Sequence, residues 1–527
     1  MPTLEWIGKE KVINHDKEVP FKLLDAQYTF DEKGKREGEA DSGNKIIHGD
    51  NLLALKALLP KYQGKIKCIY IDPPYNTGNE GWVYNDKVSD PQIKKWLGEV
   101  VGKEGEDLSR HDKWLCMMYP RLKLLQQLLA EDGAIFISIG DDEFASLKLI
   151  CDEIFGSYNF IATFVWKSRA KPSNTGDAKV KPQNDAEYIV CYGKSEKPFF
   201  RLVASGNSRN YPHHDEDGNY RLQTILKSNR GESKRETMTF ELNGYKPPLT
   251  KRWQAGEETI KELFARNRIT FQTGEPMLKY YEHEENAETA PFYCYVSRED
   301  SSTAENGKKL LNNILGNQHG FDTVKPIEIV TYLLKHMTDS DSIVLDSFAG
   351  SGTTAHAVLS LNKKDGGNRK FILVEMMDYA DSITAERVKR VINGYGEGKK
   401  AVEGTGGSFT YYELGESLFD EDGNLNANIP AEKIREYVWY METKLPLPHE
   451  TETAIDNSAF LGVCNHTAYY FHYDANCGTT LDHEFLSSVR TEAESYVIYA
   501  DACALSDAFL TKNHITFKKI PRDIERL

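Results

Sequence analysis

From Lys45 onward, hydrophobic positions alternate between short continuous runs and segments of helical spacing. Ile46-Ile47-His48-Gly49-Asp50-Asn51 predicts a short strand and a turn, and Leu52 to Leu59 carries apolar residues at helical period. Lys67 to Ile71 is an apolar run that stops abruptly at Asp72-Pro73-Pro74-Tyr75. Such a run predicts a buried parallel strand whose C-terminal end opens into a loop. A second unit follows: Arg121 to Ala130 has helical spacing, Asp132-Gly133 is the turn, and Ala134 to Ile139 is the next buried strand. Asp141 and Asp142 are N-cap candidates for a helix running towards Phe155. The pattern resumes near Thr323, with a helix over Thr323 to Met337, a strand over Ser342 to Asp346, a helix over Thr353 to Leu361 and strands over Lys370 to Glu375 and Phe409 to Leu414. Strands alternating with helices predict an α/β fold with a mostly parallel sheet.

Between Trp166 and about residue 310 the chain reads as irregular, with scattered Gly, Pro, Asn and Ser. The expected organisation is an arm over 1–44, one half of an α/β domain over 45–166, an insertion over 167–320, the second half over 321–414, and a separate aromatic-rich domain over 415–527. Within the arm, the charged stretch from Asp31 to Glu39 reads as a mobile, solvated loop.

Bulk properties narrow the function classes. No apolar run reaches the roughly 18 residues of a membrane span. Met1-Pro2-Thr3-Leu4-Glu5-Trp6 lacks the basic and apolar regions of a secretory signal. The eight cysteines include no C-x-x-C pair, so neither a metal site nor a disulfide framework is expected and a cytoplasmic setting fits. The net charge of −15 argues against a nucleic-acid partner unless Lys and Arg are locally concentrated.

Two motifs carry chemistry. Asp346-Ser347-Phe348-Ala349-Gly350-Ser351-Gly352 lies between a strand and a helix. Glycines there permit positive φ and close backbone approach, and the helix that follows offers free N–H groups to an anion. No lysine follows Gly352, so this is not a nucleotide-phosphate loop. Ala355 stands where a dinucleotide fingerprint wants its third glycine. Glu375 closes the next strand, about 20 residues on, where an acid binds a ribose hydroxyl pair. NAD and S-adenosylmethionine both remain open on these residues. The second motif is Asp72-Pro73-Pro74-Tyr75. A rigid turn ending a strand is the plain account of two prolines. Yet the Asp72 carboxylate and the Pro73 carbonyl are paired acceptors for an exocyclic –NH2, and Tyr75 offers a face for stacking a base.

The tetrad resembles the D-P-P-Y catalytic motif of DNA amino-methyltransferases, and Phe348-Ala349-Gly350-Ser351-Gly352 resembles their F-x-G-x-G cofactor motif. Catalytic motif first and cofactor motif later is the order of the beta class. Lys325-Pro326 resembles the K-P element that precedes the cofactor loop. Ile47 to Leu55, the extension Asp72 to Asn79, and Leu128 to Ile139 are similar to the modification (Mod) subunit of Type III restriction–modification systems.

The resemblance implies a Rossmann-like S-adenosylmethionine-dependent methyltransferase fold: a catalytic half over 45–166, a target-recognition insertion over 167–320, and a cofactor half over 321–414. Residues 415–527 become a candidate for dimerisation or DNA contact. It implies methyl transfer to the amino group of a flipped base in double-stranded DNA, with adenine N6 ahead of cytosine N4. Asp72, Pro73, Pro74 and Tyr75 are then catalytic. Phe348, Gly350, Gly352 and Glu375 line the cofactor, with Lys325 near its carboxylate end and Asp50 at the same sheet edge. A homodimer and a separate ATP-dependent restriction subunit are implied partners. A non-catalytic DNA-binding subunit and an NAD-linked oxidoreductase are the competing classes, and the oxidoreductase leaves Asp72 to Tyr75 unexplained. Local basic stripes do occur in the insertion, where Lys167, Arg169, Lys171, Arg230, Arg235 and Arg252 are the expected DNA contacts.

Overall fold

The structure, a computed structural model, describes residues 3–38, 42–77, 108–171, 179–198, 200–204, 209–231, 234–271, 274–285, 289–321, 323–420, 422–448 and 456–525. They form two compact units, Leu202–Phe292 and the rest of the chain. Eleven strands of the larger unit make one sheet. They are β1 (Lys22–Asp31), β2 (Gly34–Glu37), β3 (Lys45–His48), β4 (Ile66–Ile71), β5 (Leu129–Ile139), β6 (Phe160–Trp166), β7 (Glu187–Gly193), β8 (Tyr295–Val296), β9 (Ile343–Asp346), β10 (Lys370–Glu375) and β11 (Ser408–Ser417). Their spatial order is β8-β6-β7-β5-β4-β9-β10-β3-β11-β1-β2. The six central strands, β5 to β11 in that order, are mutually parallel. β7 and β1 pair antiparallel at either side of them.

Burial on both faces explains why the central strands read as unbroken apolar runs. Ile66, Cys68, Ile69 and Ile71 of β4 and Phe371 to Val374 of β10 are wholly buried. Helices α1 (Asn51–Tyr62), α2 (Leu108–Leu128), α3 (Asp141–Cys151), α4 (Ala304–Leu315), α5 (Ile327–Met337), α6 (Thr353–Asp365) and α7 (Glu386–Asn393) complete the α/β layers. The helix expected from Thr323 begins only at Ile327, because Pro326 holds extended backbone at its N-cap. Asp141 and Asp142 lie in the first turn of α3 rather than capping it. Gly140 is the N-cap, and the acidic pair meets the positive end of the helix dipole.

Three expectations are corrected. The charged stretch from Asp31, as far as Gly38, is not a loose loop but continues a strand: Leu24, Ala26 and Tyr28 alternate with exposed Asp25 and Gln27, and β1 pairs along β11. Asp31 to Glu37 folds back as a hairpin through Gly34, whose φ of 107° suits the turn, and Tyr28 stacks on Tyr411 at 5.1 Å. The compact inserted unit is Leu202–Phe292, narrower than 167–320, because Glu187–Gly193 is recruited as a strand of the large sheet. Residues 415–527 are not separated by contact density. Leu418, Ile434, Tyr437 and Trp439 join the same hydrophobic cluster as Leu55, Leu58 and Ile69, with α8 (Ala431–Thr443) supplying three of them. A four-stranded sheet over Phe460–Lys519 has its own small core around Tyr470, Leu481 and Ile498.

The inserted unit is itself regular. An antiparallel four-stranded sheet contains Gly218–Thr224 and Met277–Tyr281, a two-stranded ribbon pairs Leu226–Ser228 with Lys251–Trp253, and Trp253, Ile225 and Ile260 fill the core.

One glycine fixes the approach of α4 to the Lys325 segment. A Cβ at Gly307 would stand 2.2 Å from the Val324 carbonyl oxygen and 2.9 Å from the Pro326 nitrogen. Gly307→Ala should therefore cost ~1–3 kcal/mol by pushing residues 324–326 aside. Gly478→Ala, which meets nothing within 4 Å, should stay within ~0.5 kcal/mol. Denaturation midpoints of the two variants check this.

Candidate functional site

The carboxyl ends of β4, β9 and β10 are neighbours, and the residues that close them are Asp72 just past β4, Asp346 and Glu375. The carboxyl edge of an α/β sheet, where strand order departs from chain order, is where ligands bind. A cavity of about 630 Å³ opens there, lined by Asp72 to Tyr75, Lys325, Phe348 to Ser351, Thr353, Thr354 and Glu375 among others. Sequence motifs from both halves of the chain thus meet in one cavity.

The tetrad is braced from several sides. The Trp114 indole donates to the Pro74 carbonyl at 2.7 Å, while no hydrogen bond among the described residues uses the Pro73 carbonyl. Asn76, at φ 59°, donates to the Arg110 carbonyl at 3.3 Å and to the buried Glu143 carboxylate. His111 Nδ1 lies 2.6 Å from the same Glu143 oxygen, so the residue after the tetrad is pinned to α2 and α3. The Gly78-Asn79 end of the extended motif lies outside the described residues.

Lys325 occupies the centre of the site. Its Nζ donates to both oxygens of Asp72 at 2.9 Å and to the Tyr75 hydroxyl at 2.8 Å, and it lies 3.2 Å from Glu187 Oε2. Tyr75 in turn donates to Glu187 Oε2 at 2.8 Å. Burial alone would lower the Lys325 pKa, but Asp72 and then Glu187 override it and hold it well above its usual value. Burial pushes Glu187 up, and the Lys325 charge together with hydrogen bonds from Tyr75, Lys325 and Ser168 more than reverses that, leaving its carboxyl below the usual range. The resemblance places this lysine at a cofactor carboxylate; here its ammonium is bound to Asp72. Tyr75 keeps a ring in the cavity wall, with the ammonium 4.8 Å from its centroid.

On the other side, Asp346 Oδ1 accepts from the Phe348 N–H at 3.0 Å and Oδ2 from the Thr354 hydroxyl at 2.5 Å. Gly350 and Gly352 have φ of 51° and 79°, which side-chain-bearing residues avoid. Gly350 N–H donates to Glu375 Oε2 at 2.8 Å and Met377 N–H to Oε1 at 3.0 Å. Burial pushes Glu375 up to about 7 against these bonds, and burial likewise raises Asp346 to about 7. Phe321 and Tyr379, edge to face at 5.1 Å, form an aromatic flank.

Asp50 does not line the cavity. It caps α1, accepting from the Leu52 N–H at 2.8 Å, and pairs with Arg121 at 3.3 Å. Of the basic candidates, Lys167 is ion-paired to Asp185, Arg169 and Lys171 are exposed in the larger unit, and Arg230 and Arg235 are exposed in the inserted unit with Arg252 half-buried. Glu187 and Trp114 escaped the sequence reading. The run Tyr188 to Tyr192 had the signature of a strand, and an acid at its start was the available clue.

Lys325→Met should cost ~3 kcal/mol at neutral pH, since it leaves the largely buried Glu187 carboxylate beside Asp72 without a cation. Glu187 sits below its ordinary range, so the pair's stabilisation is present above the ordinary carboxylate pKa and is lost as pH falls through the lowered one. The difference between wild type and variant should accordingly shrink in melts taken below about pH 4. Equal losses at both pH values would mean Lys325 contributes packing rather than charge.

A family model described as DNA methylase matches residues 66–386, more than half of the chain. The Mod subunit of the Type III restriction-modification enzyme StyLTI from Salmonella typhimurium is 33% identical over 74% of this chain and 62% of its own length. The EcoP15I Mod subunit from Escherichia coli is 30% identical over 75% of this chain and 66% of its own length. This chain therefore spans under two thirds of either relative. The Type II methyltransferase M.KpnI of Klebsiella pneumoniae is 30% identical over 67% of this chain and 85% of its own length. Asp72 to Tyr75 and Phe348 to Glu375 all fall within the matched span. The chain belongs to the DNA methylase family of N6 and N4 amino-methyltransferases.

Proposed function

We propose that the chain is an S-adenosylmethionine-dependent DNA methyltransferase that modifies adenine N6, acting as the Mod subunit of a Type III restriction–modification system. The observation that carries this reading is the joint cavity: an amine-accepting carboxylate, Asp72, faces the glycine loop and Glu375 across about 630 Å³. That volume is in the ordinary range for a ligand of nucleoside size. The residues present fit the cofactor. Glu375 is fixed by two backbone N–H groups and aimed as an acceptor for ribose hydroxyls. Gly350 and Gly352 keep the loop free of side chains, and Phe321 and Tyr379 offer apolar surface to an adenine ring.

Bound S-adenosylmethionine supplies a methyl group on a sulfonium sulfur, open to in-line attack by an amine nitrogen. The protein's part is to present that nitrogen. The target base leaves the duplex, at a cost of a few kcal/mol offset by contacts in the site. Its amino group donates one hydrogen to Asp72 and one to the Pro73 carbonyl, which turns the nitrogen lone pair towards the methyl. Tyr75 supports the ring face. Asp72 takes the surplus proton once the nitrogen carries the methyl group. Lys325, bonded to both Asp72 oxygens, holds that carboxylate in place.

Target recognition belongs, in this reading, to the inserted unit Leu202–Phe292, where Lys227, Arg230, Lys234 and Arg235 are exposed. Lys167, Arg169 and Lys171 are proposed backbone contacts at its base in sequence, and Arg252 a contact from the ribbon. A homodimer, a separate ATP-dependent restriction subunit and a cytoplasmic site of action accompany the Type III assignment, which the similarity to the StyLTI and EcoP15I Mod subunits supports. No helix of the described residues is long and apolar enough to cross a membrane.

The test is methyl transfer from labelled S-adenosylmethionine to unmethylated genomic DNA, with the product digested to nucleosides. Label should appear in N6-methyladenine, and Asp72→Ala should reduce it by at least ~10²-fold. Label in N4-methylcytosine would keep the mechanism and change the base. Binding of both ligands without any transfer would favour the non-catalytic subunit.

A further inference from the structure

The lysine expected at a cofactor carboxylate is engaged with Asp72, yet another buried cation lies behind the glycine loop. Arg387 on α7 is wholly buried. Its Nη1 donates to the Ser351 hydroxyl at 2.9 Å, the Ser351 carbonyl at 3.3 Å and the Thr353 hydroxyl at 2.9 Å. Its Nη2 lies 3.4 Å from His356 Nδ1. Burial holds His356 well below its usual pKa, so its ring is neutral and Nδ1 accepts. Among the described residues, Nε has no hydrogen-bond partner and no carboxylate pairs with the guanidinium. Burial lowers the Arg387 pKa to about 10, which still leaves the group charged at neutral pH.

A buried charge held only by neutral acceptors is poorly compensated and is stabilised by any anion brought near it. Its contacts define where that anion would sit. Ser351 and Thr353 line the cavity and also hold the guanidinium. They flank Gly352, the N-cap of the 13-residue helix α6, whose first turn presents free N–H groups. Thr353 also donates to the Lys325 carbonyl at 3.3 Å, so the clamp extends to the segment that carries the Asp72 partner.

We propose that Arg387 is a positioning residue for the methyl donor: its charge, transmitted through Ser351 and Thr353, is the counterpart of the α-carboxylate of the bound methionine moiety. The inference rests on the cofactor assignment made above. It divides the labour between two buried cations. Lys325 serves the catalytic carboxylate of the protein, and Arg387 serves the carboxylate of the ligand.

The experiment compares calorimetric binding of S-adenosylmethionine and decarboxylated S-adenosylmethionine to the full chain. Wild type should bind the carboxylated ligand at least tenfold more tightly. Arg387→Gln should weaken S-adenosylmethionine tenfold or more while changing the decarboxylated ligand less than about threefold, and Arg387→Lys should recover part of the preference. Loss of affinity by the same factor for both ligands would reduce Arg387 to a loop clamp and overturn the proposal. A wild-type preference near one would overturn it without any variant, which covers the case in which Arg387→Gln fails to fold. Failure of wild type to bind S-adenosylmethionine at all would instead remove the cofactor assignment itself.

Discussion

The ammonium of Lys325 lies between the carboxylates of Asp72 and Glu187, three residues drawn from segments far apart in the chain. Burial makes the Lys325 and Glu187 charges costly alone, and attraction among the three groups makes them tolerable together. The contact therefore does more than close a loop. It sets the loop after β4 against the segment before α5, and with it the tetrad against the glycine loop. α4 reinforces the same register, because Gly307 leaves no room between its backbone and residues 324–326. Thr353 adds a hydrogen bond from the start of α6 to the Lys325 carbonyl.

The parallel sheet makes such a meeting possible. Parallel pairing sets β9, late in sequence, beside β4, early in sequence, with β10 on the far side of β9, and all three point their carboxyl ends the same way. Acids at those ends then share one cavity. Asp346 and Glu375 are both raised to about 7 by burial, which marks the edge as a place where carboxylates are kept dry and held by directed donors rather than solvated. Groups in that condition bind polar ligands selectively, since a ligand that fails to replace the missing water is penalised.

Much of this was legible from local pattern. The apolar runs of β4, β9 and β10 and the residues that end them can be read directly, because strand burial and a motif at a strand's end are both short-range signals. Long-range partners are a different matter. Nothing near Lys325 in sequence announces Asp72 as its partner, and nothing near Arg387 announces Ser351. Asp50 was a ligand candidate because it lies in the turn after β3 at the right sheet edge, but α1 starts at the next residue and takes its carboxylate as a cap. The hairpin β1–β2 was hidden by its charges, since its strand alternation is carried by few apolar residues and its pairing partner, β11, lies about three quarters of the chain away. The reach of the insertion was overestimated for the same reason: β7 joins the large sheet through pairing with β5 and β6, which the irregular composition around it does not reveal.

The most direct measurement is a crystal structure of the chain with S-adenosylhomocysteine. The account predicts the ribose hydroxyls on Glu375, the amino-acid end against Ser351 and Thr353, and the thioether sulfur facing Asp72 and the Pro73 carbonyl. A ligand seated elsewhere, or seated here with its sulfur turned away from Asp72, would contradict it.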